Sequence, residues 1–288
     1  SLKKYGTFEW KGDRIVVLDV ETNQEQWSWS TFDYYSTEDY DSFHPNYRAD
    51  WTHGNAAYYH PATNAVYFSS RHLGRITKID WDTRDIVWNM GTNLTTQDCD
   101  FGNNLFSYQH SPEVQPDGNI ILFDNGNRRD GIPADPATAY SRAVEIKLNG
   151  DPVNSAEIVW EWTTPLYCPS TGDADRLAIG TTLVTATQLG SIYELDSTLS
   201  IVSQIDIEAE SACGGLRPGY RAQRVPNLKP DYVVPNRSDI NGDDLINVSD
   251  LLAIVSAWGT CEGCLEDVNL DSFIDVSDLL LVIEHWGS

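Results

Sequence analysis

Residues 74–90 read GRITKIDWDTRDIVWNM, and this stretch decides the fold. Two runs rich in Ile, Val and Trp flank a polar turn at residues 80–85, a pattern that predicts a β-hairpin. Three other segments follow the same plan, at residues 13–29, 141–162 and 190–207. Hairpins that recur in this way, without a long amphipathic helix between them, indicate an all-β protein.

Further hairpins are predicted between these repeats, at residues 55–70, 111–126 and 175–187. Hairpin pairs that recur roughly every 45 to 70 residues favour a β-propeller, whose blades are four-stranded sheets around an axis. A β-sandwich is the structural alternative, but it has less reason to repeat. We expect a propeller domain over residues 1–235 with three fairly complete blades and partial ones at each end, so that it is incomplete at the N-terminus.

The charge of the chain restricts its partners. Among 288 residues, 43 Asp and Glu outweigh 19 Lys and Arg, for a formal net charge of −24. Such a charge argues against binding to nucleic acid or to an anionic membrane. The sequence has no apolar run long enough for a membrane span, so we expect none. It also has no phosphate-binding loop of the GxxxxGK[ST] type, so we expect no nucleotide cofactor.

A different pattern begins at residue 239. Residues 239–259 (DINGDDLINVSDLLAIVSAWG) recur as residues 267–287 (DVNLDSFIDVSDLLLVIEHWG), with eleven of 21 positions identical. In a loop of the EF-hand type, oxygen ligands at fixed positions surround Ca²⁺. The first repeat offers Asp239, Asn241, Asp243, the Leu245 carbonyl, Asn247 and Asp250. The second offers Asp267, Asn269, Asp271, the Phe273 carbonyl, Asp275 and Asp278.

These two copies of D-x-N-x-D followed by S-D-L-L resemble a type I dockerin, a duplicated calcium-binding module. The resemblance covers residues 239–287 and implies a small all-α, EF-hand-like domain over residues 236–288 with two Ca²⁺ sites. It also implies docking onto a cohesin or a cell-surface scaffold protein. A chain that carries such a module is expected to be secreted, in an extracellular or periplasmic location.

Turn positions predict which residues of the larger domain meet. A turn centred near residues 62 and 63 places His53 opposite Arg71 or His72. A turn at residues 116–119 places His110 opposite Asn125, with Arg128 and Arg129 just beyond. In a propeller, the equivalent ends of successive blades converge on one face of the central channel.

Five motifs in this region resemble those of the bacterial arylsulfate sulfotransferase (arylsulfotransferase) family. They are DWTHGN at 50–55, SSRH at 69–72, QH at 109–110, FDNGNRR at 123–129 and SRAVE at 141–145. The resemblance covers roughly residues 10–235 and implies a six-bladed propeller. It also implies transfer of a sulfuryl group from a phenolic sulfate ester to a phenol acceptor, without a nucleotide.

The resemblance assigns roles to single residues. It implies that His110 is the nucleophile, which forms a sulfohistidine. It also implies that His53, Asn55 and Arg71 bind the sulfate oxygens and assist the leaving phenolate. We add Asn125 and Arg128 as further substrate-binding candidates. A further active-site histidine of the family, in an earlier blade, has no counterpart here because His44 does not match its motif. The sequence therefore leaves open whether this chain alone is active.

Elementary chemistry supports the same residue types. A neutral imidazole is a nucleophile at pH 7 that can also leave again, and Arg offers a fixed, charged fork to a tetrahedral oxyanion. Two alternatives remain at this stage. One is a non-catalytic propeller that binds a ligand or polysaccharide and is anchored through the dockerin-like module. The other is a propeller lyase or hydrolase that acts on sulfated or acidic polysaccharide.

Overall fold

The computed structural model describes residues 10–41, 50–129, 134–135, 137–177, 179–186, 190–207, 220–224, 238–241, 245–260, 264–269 and 273–286. The chain divides into two compact units, Ser1–Arg224 and Val225–Ser288. The predicted domain boundary near residue 235 lies outside the described residues, as do His44, Asp243 and Asp271.

The first unit contains antiparallel sheets that follow one another along the chain. Sheet 1 is a hairpin of β1 (Arg14–Leu18) and β2 (Glu25–Ser30), followed by the short helix α1 (Thr31–Tyr34). Sheet 2 comprises β3 (Gly54–His60), β4 (Ala65–Ser70), β5 (Arg75–Asp80) and β6 (Ile86–Gly91). Sheet 3 comprises β7 (His110–Val114), β8 (Ile120–Asp124), β9 (Arg142–Asn149) and β10 (Ser155–Thr163). Sheet 4 comprises β11 (Asp173–Arg176), β12 (Thr182–Ala186), β13 (Ser191–Leu195) and β14 (Ile201–Asp206).

Each of the four-stranded sheets joins one of the intervening hairpins to one of the repeated hairpins. Their strands are hydrogen-bonded in sequence order, as in a meander. The prediction of an all-β fold with these hairpins is therefore confirmed. The described residues contain three four-stranded sheets and the hairpin of sheet 1 in this unit, and the six-bladed closure stays a prediction.

The hydrophobic cores of this unit lie between successive sheets. On β4, Ala65 and Tyr67 belong to the core shared with sheet 3, whereas Val66 and Phe68 belong to the core shared with sheet 1. On β8, alternate residues contact sheets 2 and 4 in the same way. Because successive side chains of a strand point to opposite faces, a sheet with neighbours on both sides buries its central strand completely.

Among its described residues, the second unit contains two helices of equal length. They are α2 (Val248–Ser256) and α3 (Val276–Glu284), and a short antiparallel ladder pairs β15 (Gly259–Thr260) with β16 (Phe273–Ile274). The expectation of an all-α module therefore needs correction. The two residues of β16, just before α3, form backbone hydrogen bonds with the two residues of β15, just after α2.

The core of the second unit repeats the duplication of the sequence. Equivalent residues of the two repeats are buried together: Ile240 with Val268, Ile246 with Ile274, and Ile254 with Val282. Each helix begins at a capping box. The side chain of the capping residue, Asn247 in α2 and Asp275 in α3, accepts a backbone N–H of the first turn. The carboxylate three residues later, Asp250 or Asp278, accepts the N–H of the capping residue. Of the helices in the described part of the chain, none is long and apolar enough to cross a membrane.

Candidate active site

The predicted hairpin around residues 62 and 63 is confirmed, and it brings His53 and Arg71 together. His60 pairs with Ala65 and Gly54 with Ser70, and the Arg71 N–H donates to the His53 carbonyl over 3.1 Å. The turn is possible because Asn64 adopts a left-handed backbone with φ of 45°, which Asn tolerates. Arg71 and His53 therefore lie side by side at the open end of this hairpin.

The predicted register of the next hairpin is wrong at its open end. His110 lies opposite Phe123 rather than Asn125, because an irregularity between His110 and Glu113 shifts the ladder. Ser111 adopts a left-handed backbone there, with φ of 49°. The two side chains nevertheless meet, since Nδ1 of His110 lies 2.6 Å from Oδ1 of Asn125.

This contact determines which nitrogen of His110 carries the proton. The Asn125 amide group donates to the carbonyls of Cys168 and Thr171 over 2.7 and 2.8 Å. Its oxygen must then face His110 and can only accept, so that Nδ1 of His110 is the donor. The lone pair of the neutral ring therefore resides on Nε2, which is the nucleophilic nitrogen.

His110 is also held in its neutral form. Burial lowers its pKa from 6.5 to about 4, the positive charges of Arg71 and His53 act in the same direction, and the bond to Asn125 opposes them. The side chain is almost fully buried, and the ring of Tyr220 stands edge-on to it at 5.7 Å. An uncharged imidazole with a free lone pair is thus available throughout the neutral pH range.

Two neighbours accompany His53. Its Nδ1 contacts a carboxylate oxygen of Asp50, which orients the ring. The ring of His72 lies 4.4 Å from the His53 ring, centroid to centroid. His72 is buried, and burial lowers its pKa to about 4. A histidine pair with a carboxylate beside it therefore stands next to Arg71.

Arg71 supplies the positive charge of the site. Its guanidinium lies over the Tyr108 ring, 4.5 Å from the ring centroid, and donates to the Pro169 carbonyl over 3.2 Å. Burial is the main cause of the lowered pKa of His72 and His110, and the charge of Arg71 adds to it. Burial raises the pKa of Tyr167 and Tyr220, and the charge of Arg71 opposes that rise. One buried arginine is thus the common electrostatic neighbour of groups that come from separate parts of the chain.

Asn55 and Arg128 hold parts of the site in place. The Asn55 amide donates to the Gln109 carbonyl over 2.6 Å and so ties β3 to the residue before His110. Arg128 pairs with Asp41 at 3.0 Å and donates to the Tyr108 hydroxyl over 3.1 Å. Asn55 is therefore linked to the residue next to the candidate nucleophile, whereas Arg128 lies on the Tyr108 side of the site.

The family model described as Arylsulfotransferase (ASST) matches residues 3–213, which is well over half of the chain. The chain belongs to the arylsulfotransferase family. None of the curated proteins matches the sequence with significance.

The solved structures that resemble this arylsulfotransferase-family chain are distant. A catalytically inactive virginiamycin B lyase from Staphylococcus aureus with Quinupristin is 15% identical over 59% of this chain and 45% of that one, with a TM-score of 0.35. BamB from Moraxella catarrhalis is 14% identical over 65% of this chain and 42% of that one, with a TM-score of 0.33. The chain spans less than half the length of these two proteins.

Sequence reasoning missed several residues of this candidate site. Asp50 is the first residue of the motif DWTHGN and His72 is the last residue of SSRH, and their place in these motifs was the available signal. Tyr108 precedes the QH motif in the same way. Tyr220 carried no signal, because only the folded chain brings it to His110. His53, Tyr108, Ser111 and Thr171 all adopt left-handed backbones around the site, as functional sites commonly do.

A cavity of about 680 Å³ extends from Asn55 and Ser111 along the first strands of sheets 2, 3 and 4. Its lining includes Tyr58, Tyr220 and the carboxyl groups of Glu113, Asp173 and Asp175. Burial first, and then the charge of Asp175, raise the pKa of Asp173 to about 7. The cavity is large enough for a small aromatic molecule, and its lining includes Ser111, the residue that follows His110.

In the second unit, the described loop residues offer oxygen atoms. The Asp250 carboxylate accepts the N–H groups of Ile240, Asn241 and Asn247, and Asp278 accepts those of Val268, Asn269 and Asp275. These bonds fold each loop back onto the start of its helix. Burial alone would raise the pKa of Asp250, but the three N–H donors together lower it. Oxygen-only loops of this kind fit Ca²⁺.

Proposed function

We propose that the first unit transfers a sulfuryl group from a phenolic sulfate ester to a phenol acceptor, without a nucleotide. The observation that carries the proposal is the Asn125–His110 hydrogen bond, which leaves the lone pair on Nε2 of a neutral ring close to the charge of Arg71. Membership of the arylsulfotransferase family supports the same chemistry.

In the first half of the reaction, the His110 Nε2 lone pair attacks the sulfur atom of the ester. The bond between sulfur and the phenolic oxygen breaks, and that oxygen keeps the electron pair. The phenolate leaves with a proton from His53, whose ring Asp50 orients. The product bound to the protein is a sulfohistidine.

In the second half, the oxygen of the acceptor phenol attacks the same sulfur. The bond between sulfur and Nε2 breaks, its electron pair returns to the ring, and the phenol proton passes to His53. His53 is therefore the acid of the first half and the base of the second. His110 is the nucleophile of the first half and the leaving group of the second, in ping-pong order. No oxidant, reductant or nucleotide is required.

Arg71 and Asn55 are proposed to hold the sulfuryl oxygens. A buried guanidinium already fixed by the Tyr108 ring and the Pro169 carbonyl loses little freedom when an anion binds. Asn125 acts through His110, and we propose Arg128 as an outer contact of the substrate. A propeller of the six-bladed type remains part of this proposal.

We further propose that the second unit is a dockerin-like module that binds two Ca²⁺ ions and docks onto a cohesin or a cell-surface scaffold in a secreted protein. Its loops carry the oxygen ligands named above. Its helices expose equivalent apolar residues, with Leu252 and Val255 on α2 matched by Leu280 and Ile283 on α3. A duplicated apolar face of this kind suits a protein partner.

The catalytic proposal is tested with p-nitrophenyl sulfate as donor and phenol as acceptor. We expect release of nitrophenol together with phenyl sulfate, and a single added SO₃ on the His110 peptide when the acceptor is omitted. His110→Ala should abolish both, whereas His285→Ala, which changes a histidine of the second unit, should keep them.

Release that persists in His110→Ala would contradict the sulfohistidine. Absence of any transfer by the folded wild-type chain would reject the enzymatic function and favour a propeller that only binds its ligand.

A further inference from the structure

We propose that Asp50, His53 and His72 form a binding site for a divalent transition-metal cation of the zinc type. One ligand atom of each residue lies within 4.8 Å of those of the other two. Two imidazoles and one carboxylate are a ligand set that zinc uses in sites that keep a position open for water. The proposed transfer reaction uses His53 and Asp50 but gives His72 no role, and the calcium module lies in the other unit.

The backbone fixes the three residues relative to one another. Arg71 N–H donates to the His53 carbonyl, and His72 N–H donates to the Thr52 carbonyl over 3.3 Å. The end of the hairpin thus holds the two histidine backbones in register, and the left-handed backbone of His53 turns the chain back toward Asp50. These residues adjoin the ends of two paired strands, so a cation has little chain ordering to impose.

The hydrogen bonds of His72 match those of a metal-binding imidazole. Its Nδ1 lies 2.7 Å from the backbone carbonyl of Asp50. A carbonyl oxygen can only accept, so Nδ1 carries the proton and Nε2 carries the lone pair. Metal-bound histidines commonly donate their other ring N–H to a carbonyl in this manner, which fixes the ring orientation.

Exposure leaves room for the cation and for a water ligand. The His72 residue is buried, whereas the side chains of His53 and Asp50 are 40% and 50% exposed. Tetrahedral zinc needs ligand atoms about 3.4 Å apart, given bonds of about 2.1 Å. The two exposed side chains can therefore rotate toward the buried one and leave the fourth position facing solvent.

Charge also favours a cation of this class, although Arg71 opposes it. Arg71 lies close enough to His72 to lower its pKa. The carboxylate of Asp50 offsets that charge locally, and the net charge of −24 draws cations toward the protein. Imidazole ligands prefer zinc, cobalt, nickel and copper to calcium, so the two kinds of site on this chain select different ions.

The test is a titration of the full chain with Co²⁺ in saturating Ca²⁺, followed by visible absorption and calorimetry. We expect one Co²⁺ per chain with the absorption of a nitrogen-ligated ion, displaced by Zn²⁺. Asp50→Asn and His53→Gln alter exposed side chains and should each weaken binding about tenfold or more. His72→Gln should do the same, and His60→Gln and His285→Gln are matched controls that should bind as the wild type does.

The proposed site would be overturned if the folded wild type bound no Co²⁺. It would also be overturned if Asp50→Asn and His53→Gln bound Co²⁺ as tightly as the wild type does. These outcomes do not depend on the proposed transfer reaction. If that reaction is correct, Zn²⁺ withdraws His53 from proton transfer, so it should inhibit the wild type reversibly with chelator. Transfer that continues at saturating Zn²⁺ would show that His53 is not the proton donor, while the binding data would still stand.

Discussion

At the scale of single residues, the site depends on which atoms of Asn125 face His110. Two carbonyls, from Cys168 and Thr171, hold the amide nitrogen and thereby turn the oxygen toward the imidazole. Ser141 joins this arrangement, since its hydroxyl donates to the carbonyls of Asn125 and Cys168. The chemistry of His110 is therefore set by a buried polar network whose members have hydrogen-bond partners.

Asn125→Ala should lower kcat about 10- to 100-fold with little change in KM, because the ring loses the acceptor that fixes its tautomer. Initial rates with p-nitrophenyl sulfate measure the effect. Asn103→Ala, at an exposed turn, is the matched control and should leave kcat unchanged. An Asn125→Ala protein with wild-type kcat would show that the hydrogen bond does not position the nucleophile.

The pH dependence should report the low pKa of His110. Because burial holds that pKa at about 4, the nucleophile stays unprotonated as the pH falls from 7 to 5. The acidic limb of kcat/KM should then have its midpoint near pH 4, well below the 6.5 of an ordinary histidine. Circular dichroism at each pH ensures that the fold persists, and a midpoint near 6.5 with an intact fold would contradict this assignment.

Asp173 should make the wild type less stable at high pH. Its pKa is raised to about 7 in the folded protein, so the folded state binds the proton more tightly than the unfolded state does. Stability is therefore lost as the pH rises from 3.8 through about 7. The loss is on the order of 4 kcal/mol at most.

Asp173→Asn removes the ionisable group, so it should raise Tm above that of the wild type at pH 8 and bring no gain at pH 4. Thermal unfolding at both pH values measures the difference. A gain of equal size at both would mean that the carboxyl group titrates normally.

At the scale of elements, ion pairs connect the sheets to the segments around them. Arg75, the first residue of β5, is fully buried and donates to Asp39 over 3.0 Å. Asp39 lies in the segment after α1 and also accepts the N–H and hydroxyl of Thr96. Sheet 2 is thereby tied to the chain on both sides of it.

Arg75→Met should lower the free energy of unfolding by about 3 to 5 kcal/mol, because it leaves the buried Asp39 carboxylate without its cation. Denaturant unfolding measures the loss. Arg14→Met breaks the exposed pair with Glu25 and should cost less than about 1 kcal/mol. Similar losses in the two variants would show that the Asp39 pair is not buried in solution.

At the scale of the whole molecule, two units are expected to respond differently to calcium. The proposed ligands lie in the second unit, at Asp239 to Asp250 and at the equivalent positions of the second repeat, and the core between its helices is small. We therefore expect the proposed metal binding to supply much of the folding free energy of this unit.

Calorimetry of the chelator-treated chain should therefore detect two Ca²⁺ sites, and chelation should abolish the unfolding transition of the second unit alone. The fluorescence of Trp258 and Trp286, both about half exposed, offers a second signal. Asp239→Ala with Asp267→Ala should remove both sites. A full chain that binds no Ca²⁺, or one whose sheets unfold on chelation, would contradict the proposed division of roles.

Much of this protein could be predicted from local patterns in its sequence. The alternation of apolar residues predicted the hairpins of sheets 1 to 4, because the period of a strand is local. The turn at residues 62 and 63 predicted the His53–Arg71 pair, because a tight turn fixes the register of both strands. The duplication at residues 239–287 predicted a core whose two halves are equivalent.

The tertiary structure alone decided what surrounds those residues. The irregularity after His110 moved its backbone partner to Phe123, and no pattern in the sequence announces a left-handed residue such as Ser111. The contacts of Asn125 with Cys168 and Thr171, of Tyr220 with His110, and of Arg71 with Pro169 join residues far apart in the chain. Local patterns determine strands and turns, whereas a tautomer, a buried charge and a low pKa depend on long-range packing, which only the folded chain contains.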